Sequence, residues 1–221
     1  MKRGGFVTLE GGEGAGKSAQ TRRLADRLAA LGFETVATRE PGGTPHAEAL
    51  RALILSGRLR DSGPGAEAIA FSAARIDHID ALIAPALERG AFVICDRFAD
   101  STRAYQGAAG SLPVEFLDRL ERVAVGACRP DLTIVIDLAP EVGLARAAAR
   151  RGQGGVDRFE AEGLAFHRAL RAGFLAIAKA EPQRCRVIDG AQDEETVGRD
   201  IWGAVRQRFA LGETALEWAP E

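Results

Sequence analysis

The chain contains no asparagine, and that absence removes one large class of nucleotide-binding switch. A regulatory GTPase reads guanine through an Asn-Lys-x-Asp motif, which cannot be written here. Lysine is nearly missing too. Lys2, Lys17 and Lys179 stand against 26 arginines, the 29 basic residues less those three. Cysteine is scarce: Cys95, Cys128 and Cys185 are odd in number and far apart. That excludes a disulfide framework and a cysteine metal site, and suits free thiols in a reducing cytoplasm. No apolar run approaches the roughly 18 residues of a membrane span, and no apolar leader opens the chain, so the expectation is a cytoplasmic protein without a membrane partner. A net charge of −2 argues against a general nucleic-acid binder. The arginines are interleaved with 31 acids and read mostly as solvated helix faces. His46, His78 and His167 are isolated and show no metal-ligand spacing.

Residues 11–18 read GGEGAGKS, a full match to G-x-x-x-x-G-K-[ST]. Gly11, Gly12, Glu13, Gly14, Ala15 and Gly16 would curl backbone N–H groups around phosphate oxygens, and the following helix would aim its positive end at the same anion. Lys17 supplies a compact charge between β- and γ-phosphates, a place where a planar guanidinium would not sit in the same way. Ser18 offers an oxygen to Mg²⁺. The motif implies ATP-type cofactor chemistry with Mg²⁺. Its context fits: Phe6-Val7-Thr8-Leu9 is a short buried-strand run, and Leu24, Leu28 and Leu31 repeat at helical spacing up to Gly32.

Strands are expected at 6–10, 33–38, 92–96, 132–138 and 184–188. Helices are expected near 45–56, 66–89, 113–126, 140–151, 158–181 and 194–210, with a loop after the third strand. Strands alternating with helices imply right-handed crossovers and a five-stranded parallel sheet with helices on both faces. The 221 residues form one α/β domain, 1–221.

Ligands of such sheets sit beyond the C-terminal strand ends. Glu10, the 38–44 stretch, Asp96-Arg97 and Asp137 fall there. Asp96 suits an acid that holds Mg²⁺, directly or through water, with Arg97 as a cation for a second anion; a local ion pair capping the strand is the competing reading.

Five further segments resemble one family. They are Thr38 to Thr44 (TREPGGT), Phe71 to Arg75 (FSAAR), Asp96-Arg97 with Ser101 to Gly107 (STRAYQG), Arg129 to Thr133 (RPDLT), and Asp157 to Glu160 (DRFE). Together with the phosphate loop, in this order, they resemble thymidylate kinase of the bacterial type over nearly the whole chain. The resemblance implies a nucleoside monophosphate kinase fold of three layers and the reaction ATP + dTMP → ADP + dTDP. It implies Phe71 stacked on thymine, Arg75 and Gln106 reading the ring edge, Ser101 close by, and Tyr105 excluding a ribose 2′-hydroxyl. Glu13 would accept the sugar 3′-hydroxyl. Arg39 and Arg97 would grip the monophosphate, with Glu40-Pro41 beside it and its peptide bond cis. The family places adenine near Asp189 to Gln192 and is usually a homodimer.

Transition-state charge in this family comes from an arginine in the phosphate loop or from arginines in a lid. The loop here has no arginine, so the chain resembles the lid-arginine type. Its lid, about 146–158, carries Arg146, Arg150, Arg151 and Arg158, with Gly152, Gly154 and Gly155 between them. Another nucleoside monophosphate or deoxynucleoside kinase is the near alternative. A regulatory P-loop NTPase is the remote one; a partner-binding or DNA-associated ATPase would want Asp-Glu where the chain has Asp96-Arg97.

Overall fold

The computed structural model describes residues 4–151 and 159–212. Five strands form one parallel sheet: β1 (Phe6–Glu10), β2 (Thr35–Arg39), β3 (Phe92–Asp96), β4 (Leu132–Asp137) and β5 (Cys185–Asp189). Their order is β2-β3-β1-β4-β5, so the strand that carries the phosphate loop is central. The continuous apolar runs of β1 and β3 are buried along their whole length, as strands covered on both faces require.

Alternation assigns each residue to a layer. Val7, Leu9, Ile94, Ile134 and Ile136 pack with Leu24 and Leu28 of α1 (Lys17–Ala30) and with Ile201, Trp202 and Val205 of α9 (Glu194–Phe209). On the other face, Phe6, Val93 and Cys95 meet Ile79, Ile83 and Leu87, while Val135 meets Leu170 and Phe174 of α8 (Leu164–Ala180). This is the expected three-layer arrangement. Among the described residues, no helix is long and apolar enough to cross a membrane.

Three expectations need correction. The helix expected at 66–89 is α3 (Gly63–His78), a π turn (Ile79–Ile83) and α4 (Ala84–Glu88). Pro85 has no N–H to give the carbonyl of Ala81, so the hydrogen-bond frame slips by one there. The stretch after β3 is not a loop but helix: α5 (Ala99–Thr102) runs into a π segment (Arg103–Ala109). Five-residue π spacing hides the 3.6-residue period that would have announced it. The remaining helices are α2 (Pro45–Leu55), α6 (Val114–Ala124) and α7 (Pro140–Arg151). Thr44 caps α2 by accepting from the Ala47 N–H, with Pro45 at the first position where a lost donor costs nothing. Helix α8 starts at Leu164 rather than near 158.

Candidate active site

Strand β1 delivers Glu10, the loop and then α1, whose first turn contains no acid to compete for its unpaired N–H groups. Lys17 Nζ donates to the Gly12 carbonyl oxygen at 2.7 Å. Gly14 has φ 65°, and a Cβ there would lie 2.0 Å from the Gly143 carbonyl oxygen on α7. A Cβ on Gly143 would in turn lie 2.3 Å from the Glu13 carbonyl oxygen. Helix α7 therefore closes on the loop backbone to backbone. Leu9 and Asp96 are register partners on β1 and β3, and Ser18 Oγ donates to Asp96 Oδ2. The pair expected to hold Mg²⁺ is thus already together. No group of three or more metal-ligating side chains exists among the described residues. Two oxygens fit Mg²⁺, which keeps waters and takes its other ligands from phosphates.

The charges around the loop are mutually set. Burial, then the nearby Arg97 charge, pulls the Lys17 amine down to about 8. Burial pushes the Glu13 carboxyl up, but Arg97, Lys17 and the Tyr105 hydroxyl outweigh it and hold it at about 2. Burial works against the Arg97 charge as well, yet Tyr105, Glu13 and Asp96 keep it above its usual range. Burial and the Asp100 charge raise Glu10 to about 8. Glu10 accepts from Phe98 N at 2.8 Å and Ser101 Oγ at 2.6 Å, which ties α5 to β1. One buried cation, Lys17, and one half-buried cation, Arg97, facing one loop favour a polyanion.

The acceptor side is built around Arg97. Its guanidinium donates to Glu13 Oε1 at 2.8 Å and to the Gly11 carbonyl at 3.0 Å, and lies 5.0 Å over the Tyr105 ring. The Tyr105 hydroxyl donates to the same Glu13 oxygen. Phe71 and Arg75 share one face of α3, as their spacing implied, and both reach the cleft. Gln106 is buried, and its Oε1 has no partner among the described residues. The Glu40–Pro41 bond is cis, as the resemblance implied. Arg39 pairs with Glu48 at 2.8 Å and stays half exposed.

A cleft of about 220 Å³ collects these groups. Glu13 to Ser18, Arg39, Glu40, Pro41, Phe71, Arg75, Asp96, Arg97, Ser101, Tyr105, Gln106 and Arg150 all line it. Gly11 and Gly12 are not among the lining residues, and Arg146 instead donates to the Gly190 carbonyl at 3.1 Å. The Arg151 side chain and Arg158 lie outside the described residues. Asp137, counted among the strand-end acids, does not line the cleft; Arg171 takes both its oxygens, at 2.6 and 2.8 Å. Sequence reasoning missed Arg51, Leu55, Phe98, Thr102, Phe159 and Glu160, which also line it. Arg51 and Leu55 are spaced i, i+4 on α2, a signal indistinguishable from an ordinary helix face. Thr102, Phe159 and Glu160 fall within the quoted segments 101–107 and 157–160, but nothing local marked them. Phe159 contacts the Tyr105 ring edge-on, with centroids 5.2 Å apart.

The thymidylate kinase family model matches residues 9–201. The chain belongs to the thymidylate kinase family. It is 54% identical to thymidylate kinase of Bradyrhizobium diazoefficiens over 207 residues, covering 94% of this chain and 91% of that one. It is 53% identical to thymidylate kinase of Caulobacter vibrioides, covering 96% of this chain and 100% of the relative. The crystal structure of thymidylate kinase from Ehrlichia chaffeensis superposes with a TM-score of 0.72 at 30% identity, over 92% of this chain and 99% of that one. Membership of the thymidylate kinase family therefore extends over the fold and the cleft alike.

Proposed function

We propose that this thymidylate kinase family member transfers the γ-phosphoryl group of ATP to dTMP in the cytoplasm. One observation carries the reading: the phosphate loop and the acceptor groups face one cleft, with Arg97 between them. Lys17 and the α1 N-terminus hold the ATP phosphates. Ser18 and Asp96 would hold Mg²⁺, which when bound would neutralise phosphate charge. Arg97 and Arg39 grip the dTMP phosphate, and Arg150 adds a cation from α7. In-line transfer between two anions depends on such positioning and charge. Arg146, against Gly190, borders the loop where adenine would lie.

Glu13 is ionised and aimed by two donors, which suits it to accept the sugar 3′-hydroxyl. Tyr105, locked by its own hydroxyl, fills the space beside it and favours a deoxyribose. Phe71 offers its flat face to the base, while Arg75 and the Gln106 amide, whose Oε1 has no partner among the described residues, meet polar edges. An ADP-release assay across dTMP, dUMP, dGMP and UMP tests this reading. dTMP should give the highest kcat/KM, with UMP at least about tenfold lower. Preference for a purine would overturn the base assignment.

We also place a homodimer on the α3/α6 face. Ile69 and Ile76 stand exposed seven residues apart on α3, and Phe116 and Val123 do the same on neighbouring α6. An apolar stripe across two packed helices suits a second copy. Light scattering should give twice the 23.4 kDa chain mass, and Val123→Glu combined with Ile69→Glu should halve it. A monomeric unsubstituted chain would refute this arrangement.

A further inference from the structure

His78, at the end of α3, is fully buried and has no part in the chemistry above. Its Nε2 lies 2.8 Å from Thr38 Oγ1 on β2, and its Nδ1 lies 3.2 Å from Glu40 Oε1. The other Glu40 oxygen accepts from Arg75 Nε at 2.7 Å, and Arg75 Nη2 donates to Thr102 Oγ1 at 3.2 Å. Thr38, His78, Glu40, Arg75 and Thr102 thus form one chain of hydrogen bonds across β2, α3 and α5. Gly43 makes room for it: a Cβ there would stand 2.5 Å from His78 Nε2 and 2.6 Å from Thr38 Oγ1.

Bond directions follow from donor chemistry. The Glu40 carboxylate only accepts, so Nδ1 carries the proton. In the Nδ1–H tautomer Nε2 accepts a hydrogen bond that the Thr38 hydroxyl donates. Both Glu40 oxygens are engaged by protein, and Arg75 spends Nε and Nη2 on Glu40 and Thr102. Arg75 lines the cleft, and its Nη1 has no partner among the described residues.

We propose that His78 is a positioning residue for the acceptor base: through Glu40 it fixes the Arg75 guanidinium so that Nη1 stays available to a carbonyl of the base. This rests on the dTMP reading. Without the His78 donor, Glu40 can turn to take both Nε–H and Nη2–H of Arg75. That breaks the Thr102 bond and tilts the guanidinium.

The test combines kinetics with a spectrum. His78→Leu should raise KM for dTMP about tenfold while KM for ATP stays unchanged. His78→Asn, whose Nδ2 can replace the Nδ1 donor, should restore most of the loss. Thr38→Val should give a smaller rise in the same constant. With only three histidines in the chain, ¹⁵N imidazole correlations on the unsubstituted enzyme should show one Nδ1–H tautomer. An Nε2–H tautomer for His78, or equal changes in both KM values, would overturn the proposal. If His78→Leu does not fold, Thr38→Val and the tautomer decide. An unsubstituted enzyme without dTMP preference would sink the functional reading. An enzyme that prefers dTMP yet keeps its KM in His78→Leu would sink this inference alone.

Discussion

Replacing Lys17 with alanine should lower kcat by about 10²- to 10³-fold and leave the melting temperature within a few degrees. The large effect follows from how alone this amine is. Lys179 closes the far end of α8, and every other cation lining the cleft is a guanidinium. The Nζ atom rests on the Gly12 carbonyl, inside the loop where triphosphate oxygens would lie. The fold should survive because Arg97 still balances Glu13 when Lys17 is gone. The same residue sets a pH limit. Its amine sits at about 8, so free enzyme loses this charge as pH rises through that value. kcat/KM for ATP should therefore fall above about pH 8, and Glu13, ionised from about 2 upward, should add no acid limb. The alkaline limb should vanish in Lys17→Ala. Near-normal turnover in that variant would remove Lys17 from the mechanism.

Arg97→Lys should lower kcat/KM for dTMP by about 10²-fold, even though the charge is kept. One guanidinium joins the Gly11 carbonyl, Ser101 Oγ and Glu13 Oε1 while its carbon lies 5.0 Å over the Tyr105 ring. An ammonium cannot span those directions or stack in that way. The backbone at Arg97 has φ 69°, a left-handed conformation that a non-glycine residue rarely holds. Its N–H is fixed to the Leu9 carbonyl at 2.9 Å, so the side chain is aimed across β1 into the loop. KM for ATP should change little, because Lys17 and α1 remain. A loss of less than about twofold would show that Arg97 is not the acceptor cation.

Much of the site could be read along the chain because its parts are local. The phosphate loop is eight consecutive residues, and Asp96-Arg97 ends an apolar strand. Phe71 and Arg75 needed only helical spacing to share a face. The misses have local causes too. Residues 99–109 are helical, but the π segment breaks the period by which helices are recognised. Pro85 was absorbed into one long helical pattern, although a proline there forces the hydrogen bonds to slip. Asp137 ends a strand as Asp96 does, but without the arginine that follows Asp96. Its neighbour across space, Arg171, which takes both its oxygens, could not be read from the chain.

By itself the sequence determined the phosphate loop, the alternation of strands and helices, and the absence of a loop arginine. Each depends on residue type and short spacing, which backbone sterics and periodicity translate directly into local structure. Tertiary structure alone decided which groups meet. It put β1 at the centre, brought Gly143 onto the loop, set Arg150 in the cleft with Arg146 away from it, and joined His78 to Arg75 through Glu40. Such contacts link residues tens of positions apart. They form only when the sheet order and helix packing place both partners, and no single stretch of chain carries that information.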